Sequence, residues 1–134
     1  METAIRVKGI DHVTLVVDDL AKSEAFYVGL LGMEKVTRPG FNFPGLWFQA
    51  GKTQIHLILR HDGSSPAGLP LPPESAGAGR VFHFAFEVDS CAAAVEQLKA
   101  AGVHVRGVGL RPDGFNQTWC HDPDGHVVEL FSKA

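Results

Sequence analysis

Apolar and polar residues along this chain alternate in two rhythms, and the order of the rhythms occurs twice. Val13, Leu15 and Val17 alternate with His12, Thr14 and Val16, the period-two spacing of a strand with one buried face. Asp18 and Asp19 follow as possible N-caps, the apolar spacing turns helical from Leu20 to Leu31, and Gly32 supplies a C-terminal stop. Extended runs are predicted near 33–37, 46–50 and 53–59, separated by turn residues at Pro39-Gly40, Pro44-Gly45 and Gly51-Lys52. Residues 8–61 therefore read as β-α-β-β-β.

The same order returns in residues 80–134. A strand from Val81 to Val88 leads through Asp89 or Ser90 into a helix from Ala92 to Ala101, which Gly102 ends. Strands near 103–108, 117–121 and 126–131 follow, with turns at 111–114 and 122–125. Between the halves, residues 62–79 are dense in proline and glycine and read as a linker. The expectation for residues 1–134 is a single α+β domain, two tandem βαβββ modules forming a curved sheet with a cleft.

The repeat also aligns chemistry. His12 and His83 lie 83 − 12 = 71 residues apart in matching strands, each followed six residues later by Asp, and His56 and Glu129 lie 129 − 56 = 73 apart in the closing strands. Alternation places all four on the faces the helices leave uncovered. Glu129 sits among Val127, Val128, Leu130 and Phe131, where a carboxylate needs a cationic partner to offset its desolvation. Three imidazoles and one carboxylate form a donor set for Fe, Mn, Co, Ni or Zn rather than for Ca or Mg. We expect His12, His56, His83 and Glu129 as metal ligands.

On the same faces and nearby loops, Thr14, Phe43, Trp47, Gln54, Phe115 and Trp119 are the expected substrate-binding residues, and their aromatic character suits an apolar or aromatic-bearing small molecule. His61, His104, His121 and His126 lack repeat mates and read as surface or supporting residues. Composition narrows the class: 45% hydrophobic and 20% charged residues over 134 positions describe an ordinary globular domain, and a net charge of −3 without a basic run excludes a nucleic-acid or anionic-membrane footprint. No apolar leader or membrane span is legible, so a cytoplasmic location is expected. Cys91 and Cys120 match no metal or redox spacing and read as reduced, buried thiols.

Several segments carry a family resemblance: Ile10-Asp11-His12-Val13-Thr14-Leu15, Ala25-Phe26-Tyr27-Val28-Gly29-Leu30-Leu31-Gly32, His83-Phe84-Ala85-Phe86-Glu87-Val88-Asp89 and Asp122-Pro123-Asp124-Gly125-His126-Val127-Val128-Glu129-Leu130. Together they resemble the vicinal oxygen chelate superfamily, which includes glyoxalase I, extradiol dioxygenases, methylmalonyl-CoA epimerase, fosfomycin-resistance thiol transferases and bleomycin-binding proteins. The resemblance implies paired βαβββ modules, metal ligands at His12, His83 and Glu129, and His56 where glyoxalase I has a carboxylate. It implies a metal-dependent enzyme of glyoxalase-like lyase or isomerase type, chelating vicinal oxygens and stabilising an enediolate or oxyanion. The alternatives are an extradiol-type dioxygenase, a fosfomycin-type thiol transferase, or a non-catalytic bleomycin-type resistance protein. It further implies a homodimer whose modules pair within one chain or are swapped between two. Glu129 and His56 are then the candidate catalytic groups, with His56 a fourth ligand by preference or otherwise a second base.

Overall fold

A computed structural model describes residues 4–68 and 80–134. The first module runs β1 (His12–Val17), α1 (Leu20–Glu24), a π-helical continuation (Ala25–Leu30), β2 (Glu34–Val36), β3 (Gly45–Ala50) and β4 (Thr53–Leu59). The second runs β5 (His83–Glu87), α2 (Cys91–Ala100), β6 (Gly109–Leu110), β7 (Phe115–His121) and β8 (Val127–Lys133). Each module forms its own four-stranded sheet, ordered β1-β4-β3-β2 and β5-β8-β7-β6. The edge strands β1 and β5 run parallel to their neighbours, and the remaining pairs are antiparallel. The α+β class and the doubled βαβββ order are thus those expected from the sequence.

Local chemistry explains the boundaries. Asp19 rather than Asp18 caps α1, its carboxylate accepting from the Lys22 backbone N–H, and Ser90 caps α2 in the same way at Ala93. Gly32 and Gly102 stop the helices at positive φ of 75° and 77°, where a side chain would be strained. Two expectations need correction. The helix over 20–31 is α-helical only to Glu24; beyond it Leu31 N–H bonds to the Phe26 carbonyl in a wider turn, which narrows the angle between successive side chains and leaves both Phe26 and Tyr27 buried. The strand expected over 103–108 is reduced to an isolated bridge between Val105 and Cys120, and regular pairing begins only at Gly109. Gly107 weakens an extended run at this edge. The expected linker is without helix or strand over 62–68, and its remainder, 69–79, lies outside the described residues.

One core unites the modules. Leu15, Val17, Phe26, Tyr27, Phe48, Ile55 and Leu57 pack with Leu98, Cys120, Val128 and Leu130 from the second half. A polar clamp reinforces the joint: the buried Tyr27 hydroxyl donates to Asp122 Oδ2 at 2.7 Å, Asp18 N–H donates to Asp124 Oδ1 at 2.9 Å, and His126 Nε2 donates to the Val16 carbonyl at 2.9 Å. Burial raises the Asp122 carboxyl above its ordinary range, and burial with the neighbouring Asp122 drives the Tyr27 phenol up as well. Tyr27→Phe should therefore cost about 1–3 kcal/mol, since it strips a buried acceptor of one donor; chemical denaturation of the two proteins checks this. Both cysteines are free and buried, and burial pushes the Cys120 thiol up to about 12, so it is no nucleophile.

Candidate functional site

Because both sheets turn their helix-covered sides toward the common core, the opposite faces carry the candidate ligands outward as two half-sites. Their construction is equivalent. In the parallel pairs Thr14 lies opposite His56 and Ala85 opposite Glu129, so His12 and His83 each sit two residues before that register point, diagonal to the group on the neighbouring strand. Across the antiparallel pairs Trp47 faces His56 and Trp119 faces Glu129. The repeat read from the sequence is a repeat of side-chain positions.

In the second half-site His83 Nδ1 donates to the Val81 carbonyl at 2.8 Å, and its Nε2 lies 3.4 Å from Glu129 Oε1. Glu129 Oε2 accepts from Arg111 Nη1 at 3.0 Å, and Arg111 also pairs with Asp113. Arg111 was not foreseen from the sequence. The signal that could have found it is its place 18 residues before a carboxylate otherwise buried among apolar neighbours. Hydrogen bonding to Arg111 holds the Asp113 carboxyl below its ordinary range.

In the first half-site His12 Nδ1 is tied to Asp11 Oδ2 at 2.8 Å, which orients the ring with Nε2 away from that bond. The His56 ring is stacked between Trp47 at 3.8 Å and His12 at 4.1 Å between centroids, with interplanar angles of 3° and 13°. Its tautomer follows from a relay. Gln49 Nε2 donates to the Gly51 carbonyl at 2.7 Å, Gln54 Nε2 donates to Gln49 Oε1 at 2.9 Å, and Gln54 Oε1 must then accept from His56 Nε2 at 2.8 Å. The basic nitrogen of His56 is Nδ1. A metal lies in the ring plane of an imidazole ligand, and two nearly parallel planes about 4 Å apart share no such point. As stacked, His12 and His56 do not converge on one ion, so this arrangement does not carry the fourth-ligand reading of His56.

Of the expected ligands the structure thus brings together His12 with His56 and His83 with Glu129, and no group of three metal-capable side chains occurs among the described residues. Of the expected substrate contacts, Thr14 is exposed beside His56, Gln54 is committed to the relay, Phe43 and Phe115 lie beneath Arg38 and Arg111, and Trp119 is buried under Arg106. The donor chemistry fits a divalent ion all the same: two imidazole rings oriented by bonds at Nδ1, and a carboxylate with one oxygen beside His83. A groove of about 1180 Å³ between the modules adjoins the second half-site, with His83 in its wall beside Leu15, Met33, Phe84 and Leu98.

Burial, with His12 second, lowers the His56 pKa from 6.5; Arg38 acts in the same sense and Asp11 opposes. A depressed folded-state pKa gives stability that is present above pH 6.5 and lost as pH falls through the folded value. Thermal midpoints should fall on acidification below that pH, and His56→Gln should flatten the slope, leaving a smaller one from His121, which burial and His104 also lower.

The sequence model of the Glyoxalase/Bleomycin resistance protein/Dioxygenase superfamily matches residues 9–130. The chain belongs to this superfamily. It is 27% identical to Glyoxylase I 4 of Arabidopsis thaliana, over 94% of this chain and 71% of that protein. Against human mitochondrial methylmalonyl-CoA epimerase the identity is 33%, over 67% of this chain and 52% of the epimerase. Among solved structures, a glyoxalase family protein from Bacillus anthracis superposes with a TM-score of 0.76 at 24% identity, covering 98% of this chain and 100% of that one. A point mutant of the fosfomycin resistance protein FosX of Listeria monocytogenes, in complex with Mn(II) and 1S,2S-dihydroxypropylphosphonic acid, superposes with a TM-score of 0.72 at 21% identity, covering 96% of this chain and 95% of that one. These structural likenesses show the fold, and among the described residues no helix is long and apolar enough to cross a membrane.

Proposed function

We propose that this superfamily member is a divalent-metal-dependent enzyme of the glyoxalase-like type, moving a proton beside a carbonyl of a small substrate with vicinal oxygens. The observation that supports the reading is the matched pair of half-sites, each presenting one His held at Nδ1 beside one proton-accepting group, Glu129 or His56, on the face away from the helices. His12, His83 and Glu129 would hold the ion as a two-His, one-carboxylate set. Bound there, the ion would polarise a carbonyl and accept the neighbouring oxygen. Arg111 fixes the Glu129 carboxylate so that one oxygen stays toward His83. His56 Nδ1, neutral at pH 7 and oriented by Gln54 and Gln49, is the base on the other side of the substrate.

Since one chain holds the half-sites apart, the complete site requires module one of one copy to meet module two of another, in a homodimer. Complementation tests this. His12→Ala and Glu129→Ala chains, each defective alone, should regain about one quarter of the metal-binding sites after unfolding and refolding together, because half the dimers are mixed and one of their two sites is intact. A mixture no better than its components, or a monomer in sedimentation at micromolar concentration, overturns the swapped site. Turnover is sought with hemithioacetals, catechols, fosfomycin with thiols, and bleomycin as a binding control; tight metal-independent drug binding without turnover would reverse the enzymatic reading.

A further inference from the structure

The repeat that relates His56 to Glu129 also relates two arginines. Arg38 and Arg111 are 111 − 38 = 73 residues apart, the same offset as 129 − 56 = 73, and Trp47 and Trp119 differ by 119 − 47 = 72. Both guanidinium groups lean on two phenylalanine rings, Arg111 at 5.3 and 5.1 Å from the centroids of Phe115 and Phe131, and Arg38 at 4.8 and 4.9 Å from those of Phe41 and Phe43. Their electrostatic situations differ. Arg111 is neutralised by Glu129 and Asp113. At the repeat-related positions Arg38 finds His56 in place of Glu129 and, by 113 − 73 = 40, Gly40 in place of Asp113.

Arg38 takes part in none of the ion pairs among the described residues, and its Nε is buried without a hydrogen-bond partner. A Cβ at position 45 would collide first with the Leu57 carbonyl oxygen of β4 and then, at 2.9 Å, with Arg38 Cζ and Nε, so the guanidinium packs against the bare backbone of Gly45 on β3. Gly45 and Trp47 are two apart on that strand and share a face, and Trp47 is the residue stacked on His56. The unpaired cation therefore lies on the half-site face. A guanidinium stays protonated at any physiological pH, a buried N–H without an acceptor is costly, and the planar fork suits two oxygens of one oxyanion.

We propose that Arg38 is the anchor for an oxyanion group of the substrate, a carboxylate or a phosphate-type group, which takes the place that Glu129 and Asp113 fill around Arg111. This deepens the functional reading above and rests on it for calling the bound anion a substrate.

The test follows the Arg38 Nε–H resonance of 15N-labelled protein during titration with acetate, methylphosphonate and, as neutral isostere of acetate, acetamide, at constant ionic strength. Saturable displacement of that resonance by an oxyanion and none by acetamide is expected, with the anion Kd rising at least about tenfold in Arg38→Gln and partly restored in Arg38→Lys. Saturation by acetate identifies a carboxylate, and saturation by methylphosphonate alone a phosphate-type group. No saturable displacement by either anion, an equal response to acetamide, or an unchanged Kd in Arg38→Gln overturns the proposal. If Arg38→Gln does not fold, the wild-type resonance still decides. The titration needs neither metal nor turnover, and metal binding measured on the same samples shows separately whether the enzymatic reading stands.

Discussion

Glu129→Ala and His83→Ala should each lower affinity for a divalent ion by at least about a hundredfold, because each removes one of three protein ligands and Glu129 supplies the only negative charge among them. Protein purified without chelator should carry about one ion per chain, and inductively coupled plasma analysis before and after substitution reads the change. Glu129→Ala has a second effect: it leaves Arg111 with Asp113 alone, so His83→Ala, which keeps the Arg111–Glu129 bond, is the cleaner variant. Metal content that survives both substitutions undamaged removes the centre altogether.

Replacing His56 by Ala should reduce turnover by about 10²–10⁴-fold, the usual contribution of a positioned general base, while metal affinity changes less than about tenfold. The split matters because the stacked geometry takes His56 away from the plane of His12 and leaves it as a proton acceptor. Gln54→Leu should mimic part of the loss, since without the Gln54 acceptor His56 Nε2–H no longer fixes the tautomer. A fall in metal binding that parallels the fall in turnover would instead make His56 a fourth ligand.

Much of this architecture was legible in the residues because two periodicities and one offset act together. The alternation in β1 and β5 fixed which residues face the core, and the glycines after each helix marked their ends. The π-helical turn was not legible, because Phe26 and Tyr27 fit the apolar spacing of either helix and only their joint burial against the second module decides between them. The residue types of the half-sites were readable, and their partners were not. Arg111 reaches Glu129 through a hairpin whose register no local pattern specifies, and the relay from Gln54 to Gln49 crosses between β4 and β3. A linear sequence shows that His12, His56, His83 and Glu129 share one kind of face, but whether such faces converge depends on how the modules dock, which the common core and the Tyr27–Asp122 clamp determine.

The position of β1 and β5 at the margins of their sheets has a consequence for how the protein behaves at high concentration. Each strand presents one row of backbone N–H and C=O groups that no strand covers among the described residues, and such rows are templates for adding further strands. If β1 of one copy joins β5 of the next, the rotation between them decides the product: a two-fold or other closed cyclic arrangement consumes every such row, whereas a rotation that does not close leaves a row free at each end and grows a fibre. The exposed Ile10 and Phe82, just ahead of these strands, make uncontrolled growth more costly to solubility. These two strands therefore bear on colloidal behaviour as well as on chemistry, and a substitution that merely tilts the contact should be seen first as turbidity rather than as lost activity.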